Sequence, residues 1–176
     1  RDPDAVVVIV TAYSSIEAPL TGRGEPLQLR ALDVSPNFFA TLGVTPARGR
    51  AFLTGAAAAD DRTAIVSDRL WRTLWNADPA IVGQSVTVDG VPRTIVGVLP
   101  PSFDFGGTFT PGRPADLFLP FPLSPETNRR GNTLALIGRL KPGIDLRTAA
   151  VETATTVDRF SKTAPEVEPG RRRREA

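Results

Sequence analysis

Stretches of apolar and alternating residues predict a series of extended segments along the chain. Residues 5–12 are β-branched and apolar, which is typical of a strand buried on both faces. Residues 27–34 alternate apolar with polar side chains, as a half-buried strand does. Asp89-Gly90 separates two strand patterns and predicts a hairpin, because both central turn positions favour positive φ. The predicted segments are 5–12, 27–34, 63–66, 84–89, 91–99, 116–120 and 133–140.

Capping residues mark the predicted helices. A side-chain oxygen satisfies a free N–H at a helix start, proline fits the first helical position, and glycine adopts the left-handed conformation at a helix end. The predicted starts are Ser35-Pro36, Ser67, Asp78-Pro79 and Asp145, and the predicted ends of the first and third elements are Gly43 and Gly83. Strands and helices therefore alternate irregularly, which predicts an α+β fold.

Apolar residues at helical spacing predict which helix faces are buried. The predicted faces are Phe38, Phe39 and Leu42 in the first helix, Leu70, Trp71, Leu74 and Trp75 in the second, and Leu146, Ala150, Thr153, Val157 and Phe160 in the last. Glycine and proline crowd residues 100–114, which predicts an irregular, mobile connection. Residues 163–176 have no apolar periodicity and are predicted to be a disordered tail.

Composition limits the chain to one domain, or one domain with a lobe, because it has 176 residues. A hydrophobic content of 41% is enough for a packed core, and the mean hydropathy is -0.08. The longest apolar run, residues 5–10, is far shorter than the ~18–20 residues that cross a bilayer. The chain starts at Arg1 without a signal-peptide pattern and contains no Met, so we expect it to be a piece of a longer protein.

The lack of Cys and His excludes disulfides, thiolate nucleophiles, imidazole bases and Cys/His zinc sites. The formal net charge is only +2, and the positive excess is concentrated in the four arginines at 171–174. These arginines have no interleaved aromatic residues, so a solvated tail is favoured over a nucleic-acid or anionic-lipid site.

Other candidate residues favour structural roles. Trp71 and Trp75 could stack a ligand, but their spacing favours a core face, and the same holds for Phe38 and Phe39. The glycines do not form a nucleotide fingerprint, and the adjacent carboxylates favour surface solvation or capping. The serines lack an imidazole base, which leaves only lysines for a Ser–Lys dyad. The residues considered are Gly22, Gly24, Gly106, Gly107, Asp2, Asp4, Asp60, Asp61, Ser14, Ser15, Ser67, Lys141 and Lys162. No catalytic, cofactor-binding or metal-binding residue is predicted, and the partner-binding residues are unknown.

Two dense motifs resemble a known family. Residues 34–52 read VSPNFFATLGVTPARGRAF, and residues 64–101 read AIVSDRLWRTLWNADPAIVGQSVTVDGVPRTIVGVLPP. Their order resembles the extracytoplasmic, MacB-like periplasmic core domain of MacB/FtsX-type ABC transporter permeases. The resemblance runs from about residue 5 to about residue 161. It implies a two-lobed domain: a porter-like lobe from 1–12 and 133–162, with its first part truncated, and an inserted strand-rich lobe from 13–132.

The resemblance also implies a mechanical function. Family members place this domain between the first two transmembrane helices of a permease in the bacterial inner membrane, facing the periplasm or the cell exterior. A cytoplasmic ABC ATPase drives the movement, and the domain transmits it to a periplasmic adaptor, a hydrolase or a transported substrate, as in efflux. The resemblance further implies a homodimer of the full permease. From the residues themselves, we expect no cofactor and no nucleic-acid partner.

Two other classes of function stay open from the residues alone. An independent module that binds a small molecule or peptide is the main alternative, and a deep apolar pocket with convergent polar groups would favour it. An enzyme is the other, and a buried Ser–Lys or paired-carboxylate site would favour that. Because the sequence offers no catalytic motif, we expect the chain not to be an enzyme.

Overall fold

The computed structural model describes residues 7–21, 25–55, 62–109, 114–121 and 134–163, although the side chains of 7–10, 108–109 and 156–163 are not described. The chain divides into two compact units. One consists of Ile9–Arg139, and the other of Arg1–Val8 together with Leu140–Ala176. The predicted disordered tail lies outside the described residues from residue 164 onward, and the predicted division into a porter-like and an inserted lobe stays a prediction.

Strands dominate the chain, and few helices accompany them. In chain order the elements are β1 (Val7–Thr21), β2 (Leu27–Val34), α1 (Phe38–Leu42), β3 (Arg48–Gly49), β4 (Thr63–Val66), α2 (Asp68–Trp75), a 3₁₀ turn (Pro79–Ile81), β5 (Ser85–Val88), β6 (Val91–Val98), α3 (Phe105–Phe109), β7 (Leu117–Pro120), β8 (Ala135–Leu140) and α4 (Leu146–Thr163). The predicted mixture of helices and strands is confirmed.

Six strands close into a barrel in the order β1-β2-β7-β4-β6-β5. The ring closes because β1 pairs with two partners. Its residues from Tyr13 to Leu20 pair with β2, and Leu20 and Thr21 also pair with Val88 and Thr87 of β5. β8 joins the sheet beside β1, and the short β3 joins it beside β6. The sequence did not predict this closure, because the predicted first strand stopped at residue 12.

Alternate residues of the six strands fill the inside of the barrel, as the strand period of two requires. Helix α2 and the 3₁₀ turn add side chains that close one end. The buried residues of this inner core are Ala18, Leu20, Leu29, Ala31, Ala64, Val66, Val86, Val88, Ile95, Val98, Leu117 and Leu119 from the strands, with Leu70, Trp71, Trp75 and Ile81. The predicted core face of α2 is thereby confirmed.

A second, largely aromatic core covers the outer face of the same strands. Its buried members are Leu32, Val34, Ile65, Val96 and Phe118 on the barrel wall, with Phe38, Phe39, Phe52, Leu99 and Phe105 packed over them. Phe39 contacts Phe118 with ring centroids 5.4 Å apart, and Tyr13 of β1 contacts Phe105 at 5.0 Å. The wall formed by β2, β7, β4 and β6 is therefore packed on both of its faces.

Most of the short-range signals in the sequence are confirmed. The Ser67 hydroxyl accepts a hydrogen bond from the Leu70 N–H at 3.0 Å, and Asp78 accepts one from Ala80 at 2.8 Å. Gly43 ends α1 with φ 71°. Asp89 and Gly90 both have positive φ, at 48° and 72°, as the hairpin prediction requires.

The prediction that Ser35 caps the first helix is wrong. The helix starts at Phe38, with Asn37 at the N-cap position. The Ser35 N–H donates to the carbonyl oxygen of Ala12 at 2.9 Å, so Ser35 still belongs to the pairing between β1 and β2. Its hydroxyl group is bound to β1 as well, which leaves it no part in capping.

Two further predictions need correction. The connection at 100–114 contains α3, because Phe105 is buried in the aromatic core and Asp104 binds the Gly107 N–H at 2.9 Å. In α4 the predicted stripe is not the buried one. Leu146 is 80% exposed and Ala149 is 6% exposed. Ala150 and Thr153 are exposed too, and the side chains of Val157 and Phe160 are among those not described.

Candidate functional site

A cleft of about 370 Å³ opens beside the start of α2. Its floor is aromatic and its rim is polar. The lining residues are Ser67, Asp68 and Arg69 from α2 and its cap, Pro100, Pro101, Phe103, Asp104 and Phe105 from the segment after β6, and Pro114, Ala115 and Phe118 around β7.

Two polar residues that line the cleft, Ser67 and Arg69, both bind Asp116. Asp116, which is 7% exposed, accepts a hydrogen bond from the Ser67 hydroxyl at 3.1 Å and forms an ion pair with Arg69. The Ser67 N–H also donates to the Asp116 carbonyl oxygen at 2.9 Å. This network holds the N-terminus of α2 against the start of β7. The hydroxyl group of Ser67 thus serves as a helix cap and a structural donor, not as part of a Ser–Lys dyad.

Two charged side chains lie inside the barrel. Asp33 pairs with Leu119, whose side chain belongs to the inner core, and Arg93 pairs with Val86, which belongs to it too. Paired residues point to the same face of a sheet, so both charges face inward. Burial raises the pKa of the Asp33 carboxyl group, and the nearby guanidinium of Arg93 offsets part of that rise.

Both tryptophans are buried, which confirms their assignment to the core. The indole N–H of Trp71 donates to the carbonyl oxygen of Asp78 at 2.8 Å. The guanidinium carbons of Arg48 and Arg72 lie 4.9 and 5.5 Å from the Trp71 ring centroid. These cation–π contacts cover the ring, so it is not available for stacking on a ligand.

A second polar network joins α1 to its neighbouring strands, and we call it the α1 clasp. It consists of Thr11, Ser35, Asn37, Thr41 and Arg139. Sequence reasoning missed it, because it links positions up to 98 residues apart. Ser35 lies 2.6 Å from the Thr11 hydroxyl and donates to the Asn37 side chain at 2.7 Å, while Arg139 donates to the Thr41 carbonyl oxygen at 2.8 Å.

The other residues considered from the sequence do not converge on one site. Ser14 lies on β1 opposite Asp33, and Ser15 is exposed. Gly106 and Gly107 lie in α3. Asp2, Asp4, Asp60, Asp61, Gly22, Gly24 and residues 171–174 lie outside the described residues, and the side chain of Lys162 is not described. Within the described ranges no group of three or more acidic side chains could hold a metal ion.

A family model identifies the class of protein to which the chain belongs. Residues 1–156 match the model of the MacB-like periplasmic core domain, so the chain belongs to that family of ABC transporter permease domains. The predicted family is confirmed. The family is a transporter permease domain and not a class of enzyme. Among the described residues, no helix is both long and apolar enough to span a membrane.

Solved structures show the same fold at low sequence identity. The periplasmic region of MacB from Actinobacillus actinomycetemcomitans is 13% identical, with a TM-score of 0.58, and the match covers 91% of this chain and 69% of that one. The extracellular domain of the ABC-type transporter YknZ from Gram-positive bacteria is 15% identical, with a TM-score of 0.65, and the match covers 89% and 78%. No functionally curated protein shows significant similarity to the chain.

Proposed function

We propose that the chain is the extracytoplasmic domain of an ABC transporter permease and that it transmits ATP-driven movement to a partner or substrate outside the membrane. Its family supports the coarse role, because MacB-like periplasmic core domains are parts of such permeases. In this proposal a cytoplasmic ABC ATPase drives the movement through membrane helices, and the full permease is a homodimer in the bacterial inner membrane. The domain faces the periplasm or the cell exterior and meets an adaptor or a hydrolase there.

The observation that carries the proposal is the way in which the chain connects its two units. It passes between them twice, after Val8 within β1 and after Arg139 at the end of β8. β1 and β8 are neighbours in the sheet. Movement of the smaller unit is therefore delivered to the larger unit through two adjacent strands, one of which closes the barrel. A closed barrel with packed cores on both faces of its wall moves as a rigid body.

The proposal includes the two predicted lobes, whose bounds differ from those of the two compact units. Residues 1–12 and 133–162 form the porter-like lobe, and residues 13–132 form the strand-rich lobe. Transmission of this kind needs two discrete arrangements of rigid elements, between which the ATPase shifts the population. The barrel supplies the rigid element, and the two connecting strands supply the path.

A flexible insertion tests the proposal in the full permease with its ATPase. Gly-Gly-Ser placed between Leu140 and Lys141 loosens one of the two connections and leaves β8 intact. A spin label on Gln28→Cys, at an exposed position of β2, reports the distance between the barrels of the two subunits. The chain has no cysteine of its own, so this label is unique within the domain.

We expect ATP to change the barrel-to-barrel distance in the unmodified permease and to lose this effect after the insertion, while ATP hydrolysis continues. The matched control places the same insertion between Asp89 and Gly90, at the tip of the hairpin, where it interrupts no connection between the units. Two results would contradict the proposal. One is that the unmodified permease shows no ATP-dependent distance change, and the other is that the change persists after the insertion between Leu140 and Lys141.

The cleft beside α2 supports a second candidate function, an independent module that binds a small molecule or peptide. Its volume of about 370 Å³ lies in the range of ligand sites, and its floor is aromatic. Pro101→Trp narrows the cleft from an exposed position, and Pro142→Trp, at an exposed turn after β8, is the matched control. A binding module would lose its output in Pro101→Trp alone, whereas a mechanical transmitter would keep it in both variants.

A further inference from the structure

We propose that the α1 clasp positions the barrel on the two connecting strands, and that Ser35 and Arg139 are the residues on which this positioning depends. This inference rests on the proposed mechanical function and deepens it. It gives a physical route, in addition to the pairing of β1 with β2, by which movement of β1 and β8 reaches the barrel wall. The route runs through side-chain hydrogen bonds to α1, and then through the aromatic core.

The β1 side of the clasp centres on the Ser35 hydroxyl group. Ser35 is 4% exposed and Thr11 is 1% exposed. The Ala12 N–H donates to the Ser35 oxygen at 3.0 Å, and Ser35 donates its own proton to the Asn37 side-chain oxygen at 2.7 Å. A hydroxyl has one proton, so the remaining contact, with Thr11 at 2.6 Å, has Thr11 as its donor. One buried oxygen thus joins β1 to the start of α1.

The β8 side of the clasp is a single guanidinium at the other end of α1. Arg139 donates its Nε–H to the Thr41 carbonyl oxygen at 2.8 Å. Its Nη2 lies so close to Gly43 that a Cβ atom built there would be 2.9 Å from it. The last carbonyl groups of a helix have no partner within the helix, and a cation at that end is stabilising. Arg139 therefore fastens the C-terminal end of α1 to β8.

Both fastenings lie at the points where the chain enters and leaves the barrel unit. Ile9 is the first residue of that unit and Arg139 is the last, so Thr11 and Arg139 stand at its two connections. Between the fastenings, α1 buries Phe38 and Phe39 completely, and Phe39 contacts Phe118 on the barrel wall. A shift of either connecting strand displaces α1, and α1 cannot move without displacing the wall.

The test uses the full permease with the spin label on Gln28→Cys. Arg139→Ala removes the fastening to β8. Ser35→Ala removes the hydroxyl group that joins β1 to Asn37, and the backbone hydrogen bond from residue 35 to Ala12 stays. We expect each variant to reduce the ATP-dependent change in barrel-to-barrel distance, and the double variant to reduce it further, with ATP hydrolysis unchanged. The pairing of β1 with β2 remains in all of these variants. Arg139→Lys keeps a donor and a positive charge at the end of α1, so we expect it to restore part of the change.

The matched control is Arg72→Ala. Arg72 is also an arginine that donates its Nε–H in one short hydrogen bond, to Asp68 at 2.7 Å, but it lies on α2 and takes no part in the clasp. We expect this variant to keep the full distance change. The isolated chain of each variant is melted in parallel, so that loss of folding is separated from loss of coupling.

The outcomes distinguish failure of the proposed mechanical function from failure of the α1 clasp inference. If the unmodified permease shows no ATP-dependent distance change, the mechanical function itself is wrong. If it shows the change and both Arg139→Ala and Ser35→Ala retain it in full, the clasp inference is overturned. If Arg139→Ala melts below the working temperature, Arg139→Lys replaces it as the deciding variant. The inference is also overturned if Arg139→Lys is folded, its own structure lacks the hydrogen bond to Thr41, and its ATP-dependent distance change is normal.

Discussion

Arg93 compensates for only part of the effect that burial has on the Asp33 carboxyl group, so the pKa of Asp33 stays above its ordinary value of 3.8. Both residues face the inside of the barrel from strands that are not neighbours, β2 and β6. Two packed charges in such a place attract each other, but removing them from water carries a penalty that the attraction does not fully offset. The direction of the pKa shift shows that the penalty is the larger of the two effects here.

This relationship predicts how stability depends on pH. A carboxyl group with a raised pKa binds its proton more tightly in the folded state, so its contribution to stability is present below pH 3.8 and is lost as the pH rises through the folded-state pKa. Asp33→Asn removes this titration. We therefore expect the asparagine variant to gain stability relative to the original chain as the pH rises from 3.5 to 7.

Urea unfolding at several pH values measures this difference in the free energy of unfolding. Asp89→Asn, at the exposed tip of the hairpin, reports the effect of removing a charge that stays in water. A difference between Asp33→Asn and the original chain that stays constant with pH would show that attraction to Arg93 fully offsets burial. A difference that falls as the pH rises would show that attraction outweighs burial, and either result contradicts the expectation.

The Asp145 carboxylate gives a titration of the opposite sign. The backbone and side chain of Thr148 donate hydrogen bonds to it and lower its pKa below 3.8. Its contribution is therefore present above pH 3.8 and lost as the pH falls through the lowered pKa. We expect Asp145→Ala to reduce the helical circular dichroism signal at pH 7, and the difference from the original chain to shrink in acid. Asp145→Asn, which keeps a side-chain oxygen as acceptor, is the control, and we expect it to retain most of the signal.

Gly49 and Gly90 form a matched pair that separates backbone strain from steric clash. Both have φ of +72°, but a Cβ atom at Gly49 would lie 2.0 Å from the Val96 carbonyl oxygen, whereas nothing lies within 4 Å at Gly90. We expect Gly90→Ala to destabilise by ~1–2 kcal/mol through strain. Gly49→Ala should lower the free energy of unfolding by that amount and by a further ~1–3 kcal/mol, because the added methyl group overpacks the contact with Val96. Equal losses in urea unfolding would mean that β3 moves away from β6 without penalty.

The features that the sequence predicted correctly depend on neighbouring residues. The Ser67 and Asp78 caps, the Asp89-Gly90 turn and the end of α1 at Gly43 each depend on a few adjacent positions. Barrel closure depends instead on Leu20 of β1 meeting Val88 of β5. The second half of β1 includes Glu17 and Pro19 and has no strong strand pattern, so nothing local indicates that the strand continues to Thr21.

The residues of the α1 clasp could not be predicted from the sequence for a similar reason. Ser35-Pro36 is a good helix-start signal, but Ser35 is instead bound to β1, which lies far from it in sequence. Arg139 is one of many arginines, and only the folded chain brings it to the end of α1. The family resemblance gave the class of protein correctly, yet its motifs specify turns and packing, so they did not identify these contacts.

Trp71 provides a test of the assignment to the core and, through it, of the choice between the two candidate functions. It is 5% exposed, packs inside the barrel end that α2 closes, and donates its indole N–H to Asp78. Truncating a buried tryptophan to alanine removes ~3–5 kcal/mol. In a chain of this length that loss should lower the melting temperature by roughly 6–20 °C. Trp71→Phe keeps most of the apolar contact and loses the hydrogen bond, so its loss should be smaller. Differential scanning calorimetry of the two variants measures both effects. If Trp71→Ala left the melting temperature unchanged but abolished binding of a ligand or partner, the core assignment would be wrong and the binding-module function would be favoured.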